Sequence, residues 1–104
     1  MIFEVDASKL ATMMTNEVNN ALCFQKNVQN FMEDFKDAED EEYMVQLAKG
    51  IAYNKRHITL HLHRAAILLQ LVGEFDGADD ELDVNTIGAK VTAWKQRFEI
   101  KDGE

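Results

Sequence analysis

Two apolar stripes, each close to thirty residues long, constrain this chain more than anything else in it. Ala7, Leu10, Met14, Val18, Ala21, Phe24, Val28, Phe31 and Phe35 recur at steps of three and four. Met44, Leu47, Ile51, Ile58, Leu62, Ala65, Leu69 and Val72 repeat the pattern, with one longer step at Asn54. Such spacing follows the 3.6-residue turn and draws a single stripe down a helix. No proline interrupts either run. At 1.5 Å per residue each helix reaches roughly 45 Å. Only a short acidic stretch separates them, so they must fold back on each other as an antiparallel hairpin.

The first helix is expected from about Ser8 to Lys36, with Asp6 or Ser8 as N-cap, because a short side-chain oxygen accepts a free backbone N–H of the first turn. The second is expected from about Asp40 to Val72. Gly50 is a weak point inside it, and Gly73 is a stop signal. A third, shorter helix is expected from about Asp83 to Phe98 on the stripe Val84, Ile87, Val91, Trp94 and Phe98, capped by Asp83 or Asn85. The runs IFEV (2–5) and FEI (98–100) alternate and are candidates for short terminal strands. The expected fold class is all-α: a long helical hairpin plus a third helix, in a single domain over residues 1–104.

A chain of 104 residues buries only a modest share of its surface. One short helix cannot cover both faces of so long a hairpin, and AAILLQLV (65–72) is apolar nearly all the way round. A second copy is the simplest cover, so a homodimeric bundle is expected.

Charge is distributed unevenly. The formal net charge is −8, which favours solubility and disfavours nonspecific binding to DNA or anionic membranes. Glu33 to Glu42 holds seven acids and one lysine, and Glu74 to Asp83 holds six acids and no base. Residues 43–73 hold no acid, but carry Lys49, Lys55, Arg56, Arg64 and all three histidines. The second helix is thus a basic rod between acidic ends. Lys49, Arg56 and His63 share the heptad column opposite the core, with His57 and Arg64 beside it. The residues expected to dock a partner are Lys49, Lys55, Arg56, His57 and Arg64. Phosphate binding needs several clustered cations. This ridge has about four, with no glycine-rich phosphate loop. Nucleic acid is therefore an alternative partner, as is mimicry of DNA by the acidic ends.

His57 and His61 stand four apart on one helical face. If the hairpin turns near residues 38–41, facing residues sum to about 79. Glu17 then meets His61, and Gln25 meets Asn54. Both are read as polar pairs that penalise slipped registers, since a buried polar group must find a partner. Glu17, His57 and His61 are weak candidates for a metal site, because two imidazoles and a carboxylate form a known ligand set. No HExxH motif accompanies them, and no cofactor is implied.

No catalytic constellation emerges. Glu39 and Glu42 form one ExxE without the downstream ExxD that paired magnesium sites need. In the EF-hand-like DGADDELD (76–83), Ala78 stands at a ligand position and no glutamate closes the loop. Cys23 alone forms no internal disulfide, and is read as a half-buried structural thiol. No apolar run nears the roughly 20 residues of a membrane span, and no signal sequence opens the chain. A cytoplasmic location is expected. The sequence reads as a non-catalytic protein–protein interaction module: an accessory, adaptor, chaperone or inhibitor of the sort found in phages and mobile elements.

Overall fold

Asp6 starts the first helix. In the computed structural model, which describes residues 6–77 and 80–97, its carboxylate accepts the backbone N–H groups of Ser8 (2.9 Å) and Lys9 (3.4 Å). Helix α1 spans Ala7–Asp37, α2 spans Glu41–Leu71 and α3 spans Val84–Arg97. Each lies within two residues of its expected bounds. The two sequence runs expected as terminal strands, 2–5 and 98–100, lie outside the described residues.

Several helix ends have an identifiable cause. Asp40 is the N-cap of α2 but makes no side-chain capping bond. Glu41 and Glu42 in the first turn instead complement the positive end of the helix dipole. At the far end Gly73 takes φ 76°, a left-handed conformation that costs other residues a Cβ clash. Its N–H donates to the Gln70 carbonyl (3.0 Å), and that of Glu74 donates to Leu69 (2.8 Å). That paired arrangement is the Schellman stop.

Asp83 caps α3 twice, accepting the Thr86 backbone N–H (2.8 Å) and the Thr86 hydroxyl (2.9 Å). These bonds, the backbone one foremost, hold its carboxyl below the usual carboxylate range. A folded-state value lower than the unfolded one stabilises the fold above the ordinary carboxylate range, and the stabilisation is lost as pH falls through the folded value.

The buried cluster draws on all three helices but occupies only one end of the hairpin. Leu10, Ala11, Met14 and Ala21 of α1 meet Leu62, Ala65, Ala66 and Leu69 of α2, and Ile87, Val91 and Trp94 of α3 close the third side. Lys95 adds a bond from its ammonium to the Thr15 hydroxyl (3.3 Å). Toward the tip, among the described residues, α1 and α2 pack on each other around Val28, Leu47 and Asn54. There Gly50 serves a purpose that its poor helix propensity hides: a Cβ at that position would stand 3.2 Å from the Phe31 ring. The missing side chain lets that ring lie close against α2. The result is elongated, 58 × 31 × 23 Å. No helix among the described residues is long and apolar enough to cross a membrane.

Two acidic loop residues are tied to α3 by ion pairs: Asp80 to Lys90 at 3.2 Å, and Glu74 to Arg97. Two of the six acids of the second acidic stretch therefore serve internally, to hold the 72–83 connection against the third helix.

Candidate functional site

The expected pairing of Glu17 with His61 is present. His61 Nδ1 lies 2.6 Å from Glu17 Oε2, with side chains 13% and 19% exposed. A carboxylate only accepts, so Nδ1 carries the proton whether the ring is neutral or charged. Arg64 approaches the other Glu17 oxygen at 3.9 Å, but is 56% exposed and adds little.

Gln25 and Asn54, by contrast, do not pair. Asn54 is buried, accepts a bond from Asn27 Nδ2 (3.3 Å) and donates to the Gly50 carbonyl (2.7 Å). Gln25 Oε1 is buried with no partner among the described residues. The reason is a register offset of two. Helical side chains lean toward their own N-terminus, so a given surface spot is covered by a residue about one position further along. In an antiparallel pair both helices contribute that shift, and facing numbers sum to 81 instead of 79. Asn27 with Asn54, Phe31 with Gly50, Phe24 with His57 and Glu17 with Arg64 all obey it.

The same offset relocates His57. Its ring stacks on Phe24, with centroids 4.8 Å apart and planes 16° apart, and Tyr53 tilts against it at 4.4 Å. Phe24 also stacks on His61 at 5.6 Å. His57 is half-buried at the edge of the helix pair and is not a free member of an exposed ridge. Lys55 is exposed but faces another side. It lines a depression of about 520 Å³ on the α3 side, with Gln25, Thr59, Asp83 and Asn85. Lys49, Arg56, His63 and Arg64 remain exposed. Cys23 is exposed, not half-buried, because its position falls outside the stripe that faces α2.

Charge counting alone misses the apolar content of this surface. Tyr53, Leu60 and Ile67 follow one another at seven-residue steps on α2 and are 52%, 43% and 55% exposed. Leu71 continues the line. Tyr53, Arg56, His57 and Leu60 enclose a shallow hollow of about 330 Å³. An outward heptad column of large apolar residues is a sequence signal in its own right; the inward stripes overshadow it. Arg56 and Lys49 form no ion pair among the described residues. The site is therefore an apolar strip edged with cations on a helix that carries no acid beyond its first turn.

Glu17, His57 and His61 come together pairwise: Glu17 accepts a hydrogen bond from His61 Nδ1, and the two imidazoles stand 6.4 Å apart. No group of three or more metal-ligating side chains occurs among the described residues.

A double-mutant cycle over Glu17→Ala and His61→Ala is expected to give a coupling energy of about 1–2 kcal/mol, since both groups are largely withdrawn from water. The same cycle over Glu17 and Arg64 is expected to give under about 0.5 kcal/mol. Urea denaturation of the single and double variants measures both; equal couplings would contradict the assignment of His61 as the principal partner. No family model, curated protein or solved structure matches the chain.

Proposed function

We propose that this chain is a non-catalytic protein–protein interaction module that docks through the outer face of α2. One observation carries the reading. Tyr53, Leu60 and Ile67, all large and exposed, line one face at heptad spacing, flanked by Lys49, Arg56, His63 and Arg64. A seven-residue apolar repeat is the seam a second helix packs into. Tyrosine and arginine around an apolar hollow are the residue types that dominate binding energy at interfaces. The fixed cations among them, Lys49, Arg56 and Arg64, set the partner's chemistry: an amphipathic helix with acids beside its apolar seam. Charge of that kind steers encounter and excludes wrong partners.

Capture from the host's lysate tests this, comparing wild type with a Leu60→Asp, Arg56→Glu variant. Both positions are exposed, so helicity by circular dichroism should be unchanged. Recovery of one protein in fixed ratio by wild type, and its loss with the variant, is the expected result. Equal recovery by both would overturn the reading. Recovery of nucleic acid, with retention falling steeply as salt rises, would replace it with a phosphate-binding role.

A further inference from the structure

We propose that the hollow on α2 is a socket for one aromatic side chain of a partner helix, and that acids beside that side chain run along the Lys49–Arg56 edge. This rests on the docking reading above and names the residue through which the partner is recognised. The four residues that enclose the hollow are Tyr53, Arg56, His57 and Leu60. They stand at i, i+3, i+4 and i+7. That diamond is the hole into which one side chain of a facing helix inserts when two helices interlock. It recurs one heptad on, with Leu60, His63, Arg64 and Ile67, all four exposed. Two sockets in line, seven residues apart, suit two side chains of one helix.

The walls decide what each socket accepts. In the first, the Tyr53 and His57 rings lie with centroids 4.4 Å apart, inclined at 53°. Arg56 brings a planar guanidinium, which stacks on ring faces. A ring set against these walls gains more than its buried area alone accounts for, from ring–ring and cation–ring attraction. The hollow, about 330 Å³, is at the small end for a binding pocket and suits a single ring system. The second socket has Leu60 and Ile67 at its ends, 43% and 55% exposed, and accepts a branched aliphatic side chain. The partner helix therefore carries an aromatic and an aliphatic residue seven positions apart.

Charge places the acids. Lys49 and Arg56 share one edge of the strip, and neither forms an ion pair among the described residues. The segment 43–73 contains no acid, so the usual i,i+4 partners do not exist for them. Arg64, on the other edge, already borders Glu17 at 3.9 Å. The unanswered positive charge lies on the Lys49–Arg56 edge, and acids flanking the partner's aromatic residue answer it.

Selection from a phage-displayed library of amphipathic helical peptides tests this. The library randomises one central seam position among all residues, and its two flanking positions among Glu, Gln and Lys. Selected on the full chain, it should return Phe, Tyr or Trp at the centre and Glu on a flank. In a synthetic copy of a selected peptide, leucine at the centre should weaken binding about two- to tenfold, and alanine more than about tenfold. Two variants at exposed positions should change the answer: Tyr53→Leu should return aliphatic centres, and Arg56→Glu should return Lys on the flank. An answer unchanged by both variants would overturn the proposal. Aliphatic centres selected on wild type, with binding still lost in the Leu60→Asp, Arg56→Glu variant, would overturn the aromatic socket alone and leave the docking reading standing. No selected peptide, Lys on the flank with wild type, or equal binding to that double variant would overturn both.

Discussion

Trp94→Ala will detach the third helix while leaving the hairpin assembled. Trp94 is buried, and it closes the cluster together with Ile87 and Val91. Truncating a buried tryptophan costs about 3–5 kcal/mol, a large part of the 5–15 kcal/mol that holds a typical domain together. The loss falls on α3, whose 14 residues are too few to stay helical in water unaided. The 31-residue helices of the hairpin keep their own mutual packing. Hydrogen exchange of the variant should show residues 84–97 unprotected while Ile51 to Leu62 retain slow amides. Uniform loss of protection across all three helices would mean that the chain unfolds only as one unit.

A second substitution pair measures how unevenly the core is distributed. Leu69 lies wholly buried where all three helices meet, whereas Leu47 is buried between two helices only. Leu69→Ala is expected to cost about 4 kcal/mol, near the top of the range for cavities that cannot collapse. Leu47→Ala is expected to cost about 2 kcal/mol, because its surroundings border water and can close in. Urea titration with an unchanged slope gives both values. Equal losses would show that the tip half of the hairpin is as tightly built as the end covered by α3.

The helices were legible because their signals are local. Asp6, Asp83 and Gly73 mark ends through chemistry confined to a few residues, and the structure uses all three for that purpose. The hairpin followed from stripe length and a short connection. The pairing of Glu17 with His61 was legible too, since both side chains are long enough to tolerate a two-residue error in register. Asn54 was not so forgiving: its short amide reaches Asn27 and leaves Gln25 behind. That error came from treating facing residues as points on two axes, when helical side chains lean. It also hid His57, which reads as an exposed cation by column and is in fact stacked on Phe24. The strip proposed for docking was half legible. Its cations stand out in an acid-free segment, but Tyr53, Leu60 and Ile67 read as ordinary apolar content until the inward face is assigned to other residues.

The stack of His57 between Phe24 and Tyr53 has a consequence for affinity that no contact inventory of the strip would include. An interface side chain frozen on binding loses about 0.5–1.5 kcal/mol of freedom. His57 is already fixed from behind by a residue of the other helix, and it braces Tyr53 in turn. The floor of the hollow is therefore ordered before anything arrives, and its ordering entropy is charged to folding, not to association. Phe24, which faces inward and lies outside the strip proposed for docking, would then set the strength of the proposed binding from a distance.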